Sequence, residues 1–135
     1  MDVNQRIEDF LSQGPWAVAG ASTDREKYGN KVLRAYQQQE LEVYAVNPRA
    51  EQVEGVTSYP DVDSLPDDVQ GLSIVTPPAV TEQVVEAAAR KGIRKLWMQP
   101  GAESARAVER AGELGLSVIS GGPCALVKLG FREPG

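Results

Sequence analysis

Trp16-Ala17-Val18-Ala19-Gly20-Ala21-Ser22-Thr23-Asp24-Arg25-Glu26-Lys27-Tyr28-Gly29-Asn30-Lys31 is the stretch that decides the fold. A short apolar run meets Gly20, a polar loop with two basic residues follows, and a helical pattern begins near Tyr28. This is the first strand-loop-helix step of a doubly wound nucleotide-binding fold. In that step a glycine lets the backbone approach a ligand, and the next helix offers free N–H groups to a phosphate. The dinucleotide fingerprint needs glycines at three places, and here Ser22 occupies the second and Arg25 the third. The Gly20-Ala21-Ser22 form therefore speaks for a nucleotide phosphate more than for NAD.

Upstream, Ile7, Phe10 and Leu11 fall at helical spacing over Val3 to Gln13, and Gly14-Pro15 stops the run, which predicts a short amphipathic helix on an edge of the sheet. Downstream, a helix over about Tyr28 to Glu40 places Val32, Leu33 and Tyr36 on one face. The second strand, Leu41 to Val46, ends in Asn47-Pro48-Arg49. Folds that bind NAD place an acid here for the adenosine ribose hydroxyls. Asn47 is neutral and Arg49 follows two residues on, an exchange that suits a phosphate on the ribose. Nucleotides of that kind are chiefly NADP, at the 2′ position, and coenzyme A, at the 3′ position; a solvated arginine in a polar turn is the simpler alternative.

Glu51 to Pro60 reads as a loop with a minor strand over Val56 to Tyr59, and Ser64 reads as a helix N-cap. Gly71 to Val75 is a buried strand stopped by Thr76-Pro77-Pro78. Two prolines at that strand end suggest a rigid apolar wall beside an adenine ring, or simply the start of the next helix. That helix covers about Ala79 to Lys91, with Gly92 closing it. Lys95 to Met98 is a strand ending in Gln99-Pro100-Gly101, Glu103 to Leu114 a helix, and Leu116 to Ser120 the last strand. Gly121 to Lys128 returns across the top of the sheet. Strands alternate with helices throughout. The expected fold is α/β: one Rossmann-like, doubly wound, mainly parallel sheet with helices on both faces.

With 135 residues, the chain predicts one domain, residues 1–135, large enough for a core without staples. A net charge of -5 speaks against a nucleic-acid binder or a membrane-surface protein. One cysteine leaves no intrachain disulfide and fits a reducing, cytoplasmic setting, and neither a signal peptide nor a membrane span is expected. The chain has no histidine, which removes histidine triads and phosphohistidine relays, and no metal site is expected. Small domains of this type often pair through a helix or an edge strand, so a homodimer is one expected state.

Gly20-Ala21-Ser22, Val46-Asn47-Pro48-Arg49, Thr76-Pro77-Pro78, Gln99-Pro100-Gly101 and Gly122-Pro123-Cys124 fall at successive strand ends. The set resembles the CoA-binding domain family, stand-alone relatives of the amino-terminal domain of the succinyl-CoA synthetase alpha subunit, over roughly Phe10 to Val127. The resemblance implies coenzyme A, or an acyl-CoA, held at the carboxyl ends of the parallel strands. Gly20, Ala21 and Ser22 would lie against its phosphates, with Arg25, Lys27 and Lys31 as candidate phosphate partners. Asn47, Pro48 and Arg49 would face the ribose phosphate, and Thr76, Pro77 and Pro78 the adenine. Gln99, Gly101 and Cys124 complete the candidate set. The synthetase subunit uses a phosphorylated histidine in a later domain, which this chain lacks. The family's basic position after the second-strand proline is often a lysine pair, and here it is Arg49-Ala50.

No catalytic residue is nominated. Cys124 sits in a glycine-proline turn at a strand end, where a thiolate can exchange with the thiol end of coenzyme A to give a mixed disulfide; a small cysteine filling space is the alternative. Glu82, Glu86, Glu103, Glu109 and Glu113 are scattered over helices and turns and form no acid–base pair. The expected function is a non-catalytic CoA-binding or acyl-CoA-binding module. The alternatives are an NADP-dependent oxidoreductase, an accessory subunit of an acyl-CoA ligase, and a structural Rossmann protein without a ligand.

Overall fold

The computed structural model describes residues 2–133. Its centre is β1 (Trp16–Ala19), four uncharged, largely apolar residues, all buried. A strand so short and apolar is covered on both faces, which suits a parallel sheet. β1 pairs in parallel with β2 (Val43–Val46) on one side and with β5 (Gly71–Ile74) on the other. Beyond β2 lies β4 (Val56–Tyr59), and beyond β5 lie β6 (Lys95–Met98) and β7 (Ser117–Ile119), all parallel. A two-residue strand, β3 (Gln52–Val53), pairs antiparallel with β4 at the edge. The resulting order is β3-β4-β2-β1-β5-β6-β7. The chain winds outward from β1 to β4, returns to the far side of β1, and winds outward again. The strand order therefore reverses between β1 and β5, the position where doubly wound sheets open a crevice at their carboxyl edge.

Strand alternation divides the core. Ala17, Ala19, Leu72, Ile74, Leu96 and Met98 face α3 (Pro78–Lys91) and α4 (Ala105–Glu113). Trp16, Val18, Trp97 and Ile119 face α1 (Val3–Ser12), α2 (Tyr28–Gln38) and α5 (Ala125–Lys128). Helices thus cover both faces. Asp2 and Gln5 close a capping box on α1, whose Phe10 stands edge-on to Trp97 at 5.4 Å. Phe10 also accepts a backbone hydrogen bond from Trp16 Nε1 (2.9 Å). A Cβ on Gly71 would meet both rings, 2.8 Å from Trp16 and 2.9 Å from Phe10.

The departures from the sequence reading are local. The 3-10 turn Val62–Ser64 is capped by Asp61, which accepts from the Ser64 N–H (2.9 Å) and hydroxyl (2.6 Å), so Ser64 is the bound residue and not the cap. Pro77 is the N-cap of α3 and Pro78 its first residue, where a missing N–H costs nothing. Gly92 ends α3 with φ +90, a left-handed conformation suited to glycine. The tail passes the end of β6, where Trp97 Nε1 donates to the Pro123 carbonyl (3.0 Å), and closes as α5 against α2.

Candidate nucleotide-binding site

Gly20 ends β1 with φ +91, and a Cβ there would lie 3.0 Å from the carbonyl carbon of Val75 and 3.2 Å from the Thr76 nitrogen. Only glycine combines that conformation with that proximity. The turn is therefore packed against the end of β5, at the reversal of strand order, where Val75 N–H still donates to the Ala19 carbonyl (2.9 Å). A second glycine completes it. A Cβ on Gly29, in the first turn of α2, would lie 2.0 Å from the Gly20 oxygen. Close helix–strand packing is the part played by the third glycine of the dinucleotide fingerprint. The sequence comparison set Arg25 at that place, but Gly29 performs the packing from further along. The N-cap of α2 is Lys27, and no side chain caps its first turn. Those first N–H groups carry the positive end of the helix dipole.

The loop from Ala21 to Lys27 is held from below. Asn47 Nδ2 donates to the Ala21 carbonyl (3.0 Å) and Asn30 Nδ2 to the Ser22 carbonyl (2.8 Å). Arg34, buried on α2, donates to the Arg25 carbonyl (2.9 Å) and to Asn30 Oδ1 (2.7 Å). Glu54 accepts from Asn30 (3.0 Å) and pairs with the Arg25 guanidinium. The Asn30 hydrogen bond, with the charges of Arg25 and Arg34, holds the Glu54 carboxyl below its ordinary value against the opposing effect of its burial. Asn30, Arg34 and Glu54 were not visible as site residues in the sequence. Asn30 and Arg34 sit on a helix that is buried almost all round, and the partner Glu54 lies beyond β2.

A cleft of about 740 Å³ opens at this edge. Of the candidate residues, Gly20, Ala21, Ser22, Lys27, Asn47, Pro48, Arg49 and Thr76 line it. Its apolar side comes from Val46 and from Val80, Val84 and Ala87 of α3, and Arg90 and Asp63 stand at its rim in a 3.2 Å ion pair. Asn47, at the position where an acid would grip a ribose, uses its amide on Ala21 and on the Arg49 N–H (2.8 Å). The Arg49 side chain is exposed along the cleft, whereas Arg25 is engaged with Glu54 and Lys31 lies further along α2; neither lines it. Pro77, Pro78, Gln99, Gly101 and Cys124 also lie outside the lining. The apolar lining near the third strand end comes from Val80, Val84 and Ala87 of α3, for which the sequence reading nominated no site role.

A smaller polar group sits at the end of β6. The Tyr28 hydroxyl is 2.7 Å from Cys124 Sγ and donates to Gln99 Oε1 (3.4 Å), which also accepts from the Ala125 N–H (2.8 Å). Burial, then the contact with Cys124 and the charge of Glu103, push the Tyr28 phenol well above its ordinary value. It is a neutral hydroxyl throughout the physiological range. Elsewhere, a groove of about 760 Å³ between α3 and α4 is lined by Glu82, Glu86, Arg106 and Arg110. Its charges pair with one another, Arg110 with Glu86 at 2.6 Å and Arg106 with Glu82 at 3.6 Å, as on a solvated helix surface.

A family model described as a CoA binding domain matches residues 15–129, from the approach to β1 to the end of α5. The chain belongs to that family. This CoA-binding-domain protein is 34% identical over 89 residues to the alpha subunit of acetate–CoA ligase [ADP-forming] II from Pyrococcus furiosus, a match covering 65% of this chain and 20% of the subunit. It thus spans about a fifth of that curated relative. Among solved structures, a conserved hypothetical protein from Pyrococcus furiosus matches with a TM-score of 0.82 and 37% identity, over 86% of this chain and 99% of that one. A hypothetical protein from Pyrococcus horikoshii OT3 matches with a TM-score of 0.86 and 28% identity, over 96% and 92%. Chains of this size therefore occur with the domain standing by itself. No described helix is long and apolar enough to cross a membrane.

Proposed function

We propose that this domain binds coenzyme A or an acyl-CoA in the cleft at the carboxyl ends of β1, β2 and β5. One observation carries the reading: the glycine turn and the uncapped start of α2 share a cleft with Lys27 and Arg49, while the residue in the ribose position, Asn47, is neutral. The backbone N–H groups of the turn and of α2 suit a diphosphate, with Lys27 beside it. Arg49 suits the phosphate on the ribose, and an acid in place of Asn47 would repel that phosphate. Val46, Val80, Val84 and Ala87 suit the face of an adenine. Binding is the whole of the proposed activity, and the candidate ligand-binding residues are those of the lining together with Gln99, Gly101 and Cys124 at the β6 end.

The test is a calorimetric titration of the protein with coenzyme A, dephospho-CoA and NADP. Binding of coenzyme A that weakens without the 3′-phosphate supports the reading. Binding of NADP with silence from coenzyme A replaces it with an NADP-dependent oxidoreductase. The ligase relatives favour a second reading, an accessory subunit of an acyl-CoA ligase. That reading expects the chain to restore acyl-CoA formation when added to a ligase stripped of its own domain of this type.

A further inference from the structure

Arg34 carries a buried charge that does not line the cleft: its side chain is 5% exposed. Its Nε donates to Asn30 Oδ1 (2.7 Å), one terminal nitrogen to the Arg25 carbonyl (2.9 Å) and the other to Glu133 (3.1 Å). The guanidinium thus bridges the loop after β1 and the C-terminal tail. Its fork is planar and rigid, so the acceptor on one side helps to fix its direction on the other.

On the loop side the result is a pair of aimed backbone donors. Asn30, oriented by Arg34, holds the Ser22 carbonyl, and Asn47 holds the Ala21 carbonyl. In a trans peptide the N–H stands opposite the carbonyl. The two contacts therefore turn the N–H groups of Ser22 and Thr23 the other way, as a consecutive pair of the kind that suits an anion. Ala21 and Ser22 line the cleft.

The tail side is held as closely. Gln38 pairs both ways with the Arg132 backbone, its Nε2 donating to the carbonyl (2.8 Å) and its Oε1 accepting from the N–H (3.0 Å). The Phe131 N–H donates to the Leu126 carbonyl (2.8 Å). These contacts set the Phe131 ring 5.2 Å from the Arg34 guanidinium carbon and bring Glu133 to its edge. The ring attracts the cation, the more so where water is excluded. Glu133 is half exposed, and a pair of two surface charges would count for little. Here one partner is buried and loses an acceptor if the tail leaves. The family match ends at residue 129, so Phe131 and Glu133 lie beyond it.

We propose that Phe131 and Glu133 are positioning residues for the loop after β1: through Arg34 and Asn30 they hold it in the form that receives a diphosphate, so tail docking and ligand binding reinforce each other. The inference rests on the coenzyme A reading above. Its test is the full chain carrying Phe131→Leu and Glu133→Gln together, titrated by calorimetry with coenzyme A and dephospho-CoA, which share the diphosphate. Both ligands are expected to bind roughly fivefold more weakly or worse, and by equal factors, from the lower end of ordinary coupling between two positions upward. Unchanged affinities overturn the role of the tail and leave the coenzyme A reading standing. A loss confined to coenzyme A overturns the assignment to the diphosphate loop. Coupling is reciprocal, which gives a second readout on the wild type that does not depend on how the variant folds. Saturating coenzyme A is expected to slow hydrogen exchange of the Arg132 N–H by a comparable factor. The Arg6 N–H, bonded to the Asp2 carbonyl near the other terminus (3.1 Å), is expected to change little. Equal slowing at both, or none at Arg132, overturns the coupling. If neither coenzyme A nor dephospho-CoA binds the wild type, both readings fall.

Discussion

Gly29 lies so close beneath the carbonyl of Gly20 that a single added carbon would stand 2.0 Å from that oxygen. The contact sets α2 against the β1 turn and fixes the distance between the turn's backbone and the start of the helix. Alanine is ordinarily the better helix former by about 1 kcal/mol. At this position Gly29→Ala is expected to destabilise the fold by about 1–3 kcal/mol, because the Gly20 carbonyl it would meet is backbone that must move. Urea unfolding measures it, and a gain in stability would show that the contact is looser than described.

Arg49 lines the cleft, is exposed and forms no ion pair among the described residues. Arg49→Ala is expected to weaken coenzyme A binding roughly 10- to 100-fold, as for the loss of a charged hydrogen bond, and to leave the weaker binding of dephospho-CoA nearly unchanged. An equal loss for both ligands would assign Arg49 to the diphosphate or to the fold.

Glu54 ties the loop to α2 through Asn30 and Arg25. Its carboxyl is held below the ordinary value, so its stabilising effect is present above an unfolded-state pKa of about 4.3 and is lost as the pH falls through the lower folded value. Glu54→Gln is expected to cost on the order of 1 kcal/mol at neutral pH and to flatten the acid limb of the stability profile. Thermal melts from pH 3 to 7 (on the order of one unit per step around the ordinary carboxylate value) give the slope; parallel profiles for variant and wild type would remove Glu54 from that role.

The alkaline limb belongs to tyrosines. Tyr36 is fully buried with its hydroxyl 2.6 Å from Ser73 Oγ, and burial raises its phenol, with the Ser73 hydrogen bond a smaller opposing effect. Tyr28 is raised as well. In the unfolded chain both ionise near pH 10 while the folded forms stay protonated, so stability falls as the pH rises beyond that point. Tyr36→Phe is expected to make the fall shallower while costing about 1–2 kcal/mol at neutral pH for the stranded Ser73 hydroxyl. An unchanged alkaline slope would count against a neutral, buried Tyr36.

The sheet was legible because its signals are local. The apolar runs gave β1, β4 and β6 at their observed bounds, and Gly92 marked the end of α3. The strand ends at Gly20, Asn47 and Thr76 could be placed on one edge because alternating strands and helices imply parallel pairing. Other features depend on partners remote in sequence. β3 has two residues and exists by pairing with β4. Gly29 matters through the backbone it underlies, and a fingerprint counted from Gly20 passes over it. The Asn30–Arg34–Glu54 group joins α2 to a turn beyond β2, a link that neither periodicity nor charge order reveals. Arg90 and Val80 carry no motif and enter the cleft only through the placement of α3 along its edge. Of the two readings of Pro77 and Pro78, the helix start is seen directly in the backbone.

The Gly20 turn is complete only when Val75 reaches Ala19, and these residues come from opposite arms of the sheet, joined through β2, β3 and β4. Everything on one arm can form before β5 arrives, yet the cleft cannot. Its closure is a non-local event of the kind that slows folding. A ligand of the cleft therefore has no foothold on a nascent or half-folded chain, and its entire binding energy adds to the finished state. Any molecule held there would therefore report on completion of the fold, raising the unfolding midpoint as its concentration rises.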